Sequence, residues 1–264
     1  MPVSQPVPVL RLLGAALCNV LGHLGGLARI AWPYYLLVAL CLLGGHALDG
    51  SSTLAELFGF LVGPGMASLL AGLAVLACTV QWQRHAILGE PLRGIAPLNG
   101  RVARYALWSF ALGLLCALPA LGAAGLGLAS GLIALDPNAA EPFTVGPAGL
   151  ALLAVGALLS FYLVARMVAF LPAISVDDRG LGLRRAWRLS RGHGLRLLGV
   201  VVLLALAVGL LGVVRSLLDM LADGGGPAAV AVAAAVQMAT DLLSAVFGAG
   251  VTAGIYRHLV PAAG

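Results

Sequence analysis

The 264-residue chain is too apolar for a water-soluble protein. Hydrophobic residues make up 61% of it and charged residues 9%, and the mean hydropathy is +1.04, whereas a typical globular domain has about 25% charged residues. These values exclude a soluble protein and any long disordered region. Because a helix needs about 20 apolar residues to cross a hydrocarbon core of ~30 Å, the length allows five to seven spans. The predicted fold class is all-α, a polytopic helical membrane protein.

The N-terminal residues predict a helix that lies in the membrane interface. Apolar residues recur at helical spacing over 7–28, and the other face carries Arg11, Asn19, His23 and Arg29. This pattern is typical of an interfacial amphipathic helix. A seventh span through the same residues is the alternative. It would place the N-terminus outside without changing the rest of the topology.

Six apolar segments follow and predict six transmembrane helices. The predicted spans are 31–48, 54–80, 103–134, 146–174, 197–221 and 228–256. Segment 103–134 is too long for one straight span and too short for two. We therefore expect Pro119 and the glycines after it to kink the helix, or to let its outer end leave the bilayer. Together with the N-terminal helix, the spans form a single membrane domain over residues 1–264.

Connections rich in arginine alternate with connections free of it. Arginines follow the second, fourth and sixth spans, whereas the other connections hold acidic residues only, with Arg215 just inside the fifth span. The positive-inside rule therefore predicts that both termini lie in the cytoplasm. All fifteen basic residues are arginine, a usage typical of a GC-rich bacterial genome. We accordingly predict a multi-pass protein of a bacterial inner membrane.

Two of the predicted cytoplasmic connections carry sequence motifs. One begins Gln81-Trp82-Gln83-Arg84-His85 and ends Gly89-Glu90-Pro91. The other begins at Arg166 and passes through a Leu-Pro-Ala step to the acidic-glycine turn Asp177-Asp178-Arg179-Gly180. It then continues as an Arg-x-Trp-x-Leu-Ser-x-Gly helix over 185–192.

These motifs resemble a loose group of bacterial membrane proteins. The group includes the membrane domain attached to some glycerophosphoryl diester phosphodiesterases and the YciC-like inner-membrane proteins. The resemblance implies a helical membrane protein, and it places the family's enzymatic chemistry in a separate soluble phosphodiesterase domain. The chain has no alternation of strands and helices and no metal-binding cluster of carboxylates. The resemblance therefore supports the fold and the location, and it argues against the enzymatic activity.

The second motif predicts a helix with a basic face. Arg184, Arg185, Arg188 and Arg191 fall at positions i, i+1, i+4 and i+7, and Trp187 lies beside them. Such a helix can lie flat on the membrane, with its tryptophan at headgroup level and its arginines directed at lipid phosphates. We predict membrane lipids with anionic headgroups as its partner. The alternative is a helix that only signals topology and anchors the chain at the surface.

Of the charges that fall inside predicted spans, Arg166 and Asp241 lie furthest from the ends of theirs. Arg166 lies in the fourth span and Asp241 near the middle of the sixth. Charges in hydrocarbon are costly and are therefore functional candidates. Counted from the outer ends of the spans, their depths differ by roughly 10 Å at 1.5 Å per residue, so we predict a strained charge pair. That pair could be structural, or it could form a solute or proton site.

The sequence predicts no catalytic, cofactor-binding or metal-binding residues, because the common hydrolase, zinc-protease and nucleotide-binding motifs are absent. Topology already explains the net charge of +5, so no nucleic-acid partner is expected. We predict a non-enzymatic protein with an organising, assembly or sensing role at the cytoplasmic leaflet. One alternative is a transporter or lipid-handling protein that uses Arg166 and Asp241; another is an intramembrane enzyme acting on lipids. Whether the chain forms a homo-oligomer or binds another membrane protein is left open.

Overall fold

The computed structural model of the chain describes residues 9–48, 65–92, 95–135, 143–222 and 227–260. The helices and strands in this part of the chain are α1 (Val9–Gly22), α2 (Leu24–Leu48), α3 (Met66–Leu88), α4 (Gly100–Ala129), β1 (Ile133–Leu135), β2 (Phe143–Val145), α5 (Pro147–Met167), α6 (Phe170–Ser175), α7 (Leu183–Leu189), α8 (Gly194–Ala222) and α9 (Pro227–Leu259).

Among the described residues, six helical segments are long and apolar enough to cross a membrane. They are α2, α3, α4, α5 continued by α6, α8 and α9. The prediction of an all-α polytopic protein with six spans and a short N-terminal helix is therefore confirmed. The first span begins at Leu24 rather than at residue 31, because the apolar residues after His23 already belong to α2.

The spans form a ring with one closed end. Around the ring, α3, α4, α5, α8 and α9 each pack against the next, and α9 packs against α3. Helix α2 lies against the outside of α3, and the short helix α6 contacts α3, α4 and α9. We call the end that α6 closes the basic end; there α3, α5 and α9 finish and α4 and α8 begin. This arrangement brings the arginine-bearing connections together.

Helix α1 packs along α9. It is too short to cross a hydrocarbon core, which takes about 20 residues. Ala16 and Val20 of α1 are buried, whereas Leu10 and Leu21 are exposed. On α9, a Cβ added at Gly254 would lie 2.9 Å from Leu12 Cδ2. The helix predicted over 7–28 is thus shorter, and part of its apolar face is buried against protein.

Glycine allows α4 and α5 to approach closely. A Cβ added at Gly156 of α5 would lie 2.6 Å from Ala123 Cβ and 2.9 Å from the Pro119 carbonyl oxygen. Small residues at such contacts are what permits close packing between helices in a membrane. Helix α4 continues through Pro119 to Ala129. Beyond it, β1 and β2 form an antiparallel hairpin that pairs Ile133 with Val145, and strands of three residues gave no periodic signal in the sequence.

The fourth predicted span, 146–174, is two helices. Helix α5 ends at Met167 and α6 begins at Phe170. The break has a local cause, because the ring of Pro172 would collide with the carbonyl of Val168 in a continuous helix. As a result, Arg166 lies in the last turn of α5, in the half of the span that is nearer the basic end.

Candidate functional site

The acidic turn after α6, at Asp177 and Asp178, lies beside arginines of the two spans α3 and α4. Asp177 accepts a hydrogen bond of 2.7 Å from Arg101 Nε, and its carboxylate lies 3.7 Å from Arg104 and 3.8 Å from Arg84. Its backbone has φ = +57°, a conformation that aspartate and asparagine adopt more readily than most residues. The hydrogen bond from Arg101 and the charges of the three arginines hold the pKa of Asp177 below its usual value.

Arg84 joins the two motifs of the sequence. Its guanidinium forms an ion pair with Glu90, in which Nε donates to Oε2 at 2.7 Å. Its Nη1 donates to the carbonyl of Ser175 in α6 at 3.0 Å. The hydrogen bonds from Arg84 lower the pKa of Glu90. The connection after α3 and the turn after α6 are therefore one polar network.

Asp178 ties the same turn to α9 and to α7. Tyr256 Oη donates to its carboxylate at 2.8 Å, and the backbone N–H of Gly180 donates to its other oxygen at 2.9 Å. Arg185 Nη1 donates to the Gly180 carbonyl at 3.1 Å. The network thus fixes the start of the arginine-rich helix relative to the bundle.

Arg166 holds the end of α7. It is 6% exposed, and its Nη1 and Nη2 donate to the carbonyls of Ser190 and Trp187 at 3.1 and 2.9 Å. In return, Ser190 Oγ donates to the carbonyl of Arg166 at 3.0 Å. The guanidinium carbon lies 4.5 Å from the centroid of the Trp187 ring. Since the last carbonyls of a helix have no partner within it, a cation at this position stabilises α7.

Three of the four predicted arginines line one groove. Arg184, Arg188 and Arg191 are exposed and surround Trp187 in a groove of about 530 Å³ whose other walls are Leu183 and Met167. Among the described residues, none of the three arginines has an ion-pair partner. We call this feature the arginine groove.

The predicted helix is corrected in two respects. It ends at Leu189, so Arg191 lies in the turn that follows, where Gly192 has φ = +83°. Arg185 does not share the groove, because one step along a helix turns a side chain by about 100° and its guanidinium is bonded to Gly180.

The structure does not bring the predicted pair together. Arg166 binds α7, whereas Asp241 lines a separate cavity of about 490 Å³ with Tyr35 and Gln237. Among the described residues, no hydrogen bond or ion pair joins Arg166 to Asp241, and Arg166 is not one of the residues around the Asp241 cavity. The prediction failed because α9 has 33 residues and α5 has 21, so depths counted from their outer ends are not comparable.

An apolar cavity of about 410 Å³ lies inside the ring of spans, and no sequence pattern indicated it. None of the described residues that line it is charged. At the basic end of the cavity, the Gln83 amide donates to Thr252 Oγ1 at 3.2 Å and to Tyr105 Oη at 3.4 Å. Gln83 is 1% exposed, and its Oε1 has no partner among the described residues. Buried polar atoms are normally hydrogen-bonded, so this amide can accept one further polar group.

No known protein-family model, curated protein or solved structure matches the chain. In the part of the chain that the structure describes, no group of three or more histidine, cysteine, aspartate or glutamate side chains is placed to hold a metal ion.

Proposed function

We propose that this multi-pass membrane protein binds anionic lipid headgroups at its basic end. It would do so in a non-enzymatic organising, assembly or sensing role at the cytoplasmic leaflet of a bacterial inner membrane. The observation that supports this function is the arginine groove, in which Arg184, Arg188 and Arg191 surround Trp187. The resemblance to the phosphodiesterase-associated and YciC-like membrane proteins agrees with such a location.

The groove has the chemistry that an anionic headgroup requires. Its arginines are exposed and without carboxylate partners among the described residues, so their charge is available to a ligand. Trp187 offers an amphipathic ring of the kind that sits at headgroup level, and Arg166 holds that ring in place. Each arginine near an anionic leaflet contributes about 1 kcal/mol, and salt screens this attraction.

The test is the amount of anionic lipid that the purified protein retains. The variant Arg184→Gln, Arg188→Gln, Arg191→Gln should carry less phosphatidylglycerol and cardiolipin than the parent in native mass spectrometry at low salt. The loss amounts to about 3 kcal/mol of attraction at most. A matched control, Arg11→Gln, Arg29→Gln, Arg179→Gln, removes the same charge from exposed positions outside the groove and should retain the lipid. Equal retention by all three proteins, or equal loss in both variants, would contradict the proposal.

A second candidate function is lipid handling within the membrane. The cavity beside Gln83 favours it, whereas the positions of Arg166 and Asp241 do not. Because no charged side chain lines this cavity and a charge would be costly there, its ligand would be a neutral amphiphile. A long-chain alcohol fits, since its hydroxyl could pair with the free amide oxygen of Gln83 while its chain lies against the apolar wall.

A further inference from the structure

A second basic pocket lies at the beginning of α8. Its volume is about 570 Å³, and it is lined by Tyr162, Arg166, Gly192, His193, Gly194, Leu195 and Arg196. It shares no lining residue with the arginine groove. None of the described residues that line it is a carboxylate, so the charges of this described lining are all positive.

Two of the lining side chains are buried, and each has a nitrogen without a hydrogen-bond partner among the described residues. Arg166 is 6% exposed and His193 is 7% exposed. Arg166 Nε and His193 Nδ1 have no hydrogen-bond partner among the described residues. The Arg166 guanidinium contacts two carbonyls and a tryptophan ring. Among the described residues no carboxylate lies beside it, so no negative charge balances its positive charge. Buried charges and buried polar nitrogens are normally paired, so the guanidinium indicates a missing anionic partner and the imidazole nitrogen a missing hydrogen-bond partner.

The backbone adds positive charge at the same place. Helix α8 begins at Gly194 and has 29 residues. The first N–H groups of a helix have no partner within it, and its macrodipole places a positive partial charge there. A Cβ added at Gly194 would lie 3.8 Å from Arg166 Nη1 and 3.8 Å from Tyr162 Oη. The start of α8 is therefore adjacent to the side chains of Arg166 and Tyr162. The exposed Arg196 adds a further positive charge to the pocket.

We propose that this pocket binds a phosphate monoester, held between Arg166, His193 and Arg196 at the N-terminus of α8. A helix N-terminus with arginine beside it suits a compact oxyanion. Arg166, His193, Arg196 and the start of α8 all line the pocket, and a terminal phosphate with three unsubstituted oxygens can accept from more of these donors than a diester with two. The phosphate could belong to a lipid headgroup or to a soluble molecule. The proposal extends the proposed function but does not depend on the arginine groove.

The experiment measures binding to the full-length protein in detergent. Probes are dioctanoyl phosphatidic acid, dioctanoyl phosphatidylglycerol and inorganic phosphate, each titrated at constant ionic strength set with chloride, with the thermal midpoint as readout. Variants are Arg196→Gln, which removes an exposed charge and leaves the fold intact, and His193→Gln. Arg29→Gln is the control, since it removes the same charge from an exposed position that lines neither this pocket nor the arginine groove.

Phosphatidic acid should bind the parent saturably and more tightly than phosphatidylglycerol. Arg196→Gln and His193→Gln should each weaken it by about tenfold, the effect expected of one charge-assisted hydrogen bond, and Arg29→Gln should not. Binding of inorganic phosphate with the same pattern would assign the site to soluble phosphates, and binding of phosphatidic acid alone would assign it to a lipid. Unchanged affinity in Arg196→Gln, or no saturable binding of either phosphate, would overturn the proposal. The proposal would also be overturned if phosphatidic acid binding fell only in the variant Arg184→Gln, Arg188→Gln, Arg191→Gln. The proposed function would then stand.

Discussion

At the scale of single residues, Asp177 combines an unusual backbone conformation with three ion-pair partners. Only a residue that tolerates φ > 0 fits this position well. Only a carboxylate can form ion pairs there with Arg84, Arg101 and Arg104. Asparagine keeps the first property and loses the second, whereas alanine loses both. The two substitutions therefore separate the contributions of charge and conformation.

We expect Asp177→Asn to lower the free energy of unfolding by about 1 kcal/mol, because partly exposed ion pairs contribute little each. Asp177→Ala should lower it by about 1 to 2 kcal/mol more, the usual cost of a left-handed conformation for a residue with a Cβ. The measurement is thermal or denaturant unfolding in detergent at pH 7. Equal stability of the two variants would contradict the role assigned to the backbone.

The same carboxylate gives this stability a pH dependence. The pKa of Asp177 is lowered from its ordinary value of 3.8, so its contribution is complete above that value and is lost as the pH falls through the lower pKa of the folded state. The difference between the parent and Asp177→Asn should therefore shrink as unfolding is measured from pH 5 down to about pH 2.

Some of these residue roles were predictable and others were not. Arg184, Arg188 and Arg191 share a groove as their spacing indicated, although Arg185 does not. The partners of Arg166 are two carbonyl oxygens, which every residue has, so no sequence pattern could identify them. The depth of Asp241 relative to Arg166 was wrongly predicted, because a sequence does not show at what depth in the membrane each helix begins.

At the scale of elements, hydrophobicity was enough to predict that six spans exist. It could not fix where they end, because that depends on particular residues. Pro172 divides the fourth predicted span into α5 and α6, and the hairpin of β1 and β2 takes up the end of the third. The cavity beside Gln83 could not be predicted from the sequence either, since it arises from how six helices meet.

The second candidate function can be tested by filling that cavity. Gly113 lines it, and a Cβ added there meets no atom within 4 Å, so Gly113→Leu should occupy the space and leave the protein folded. Crosslinking of a diazirine-bearing long-chain alcohol to peptides of α4 and α9 should fall in this variant.

The matched control is Gly209→Leu on α8, where an added Cβ also meets no atom within 4 Å and which lines none of the cavities described above. It should crosslink as the parent does. Equal labelling of Gly113→Leu and Gly209→Leu would rule out occupation of the cavity by the alcohol.

At the scale of the whole molecule, the basic end is a connected structure. Arg84 and Asp177 join the two motif-bearing connections, Tyr256 joins α9, and Arg166 joins α7 to α5. The arginine groove and the pocket at the start of α8 are both built on this framework. An anionic headgroup bound at either place would therefore contact residues fixed by several spans.

Both sites need the basic end to face the cytoplasmic leaflet, where anionic lipids give the surface its negative potential. The alternation of arginine-rich connections predicts this orientation, and cysteine accessibility in whole cells tests it most directly. The four native cysteines would be replaced, and single cysteines introduced at positions 93, 138, 180 and 224, of which 93, 138 and 224 lie outside the described residues. An impermeant thiol reagent should label positions 138 and 224 in intact cells, and positions 93 and 180 only after permeabilisation. Labelling of position 93 or 180 from the outside would contradict the account.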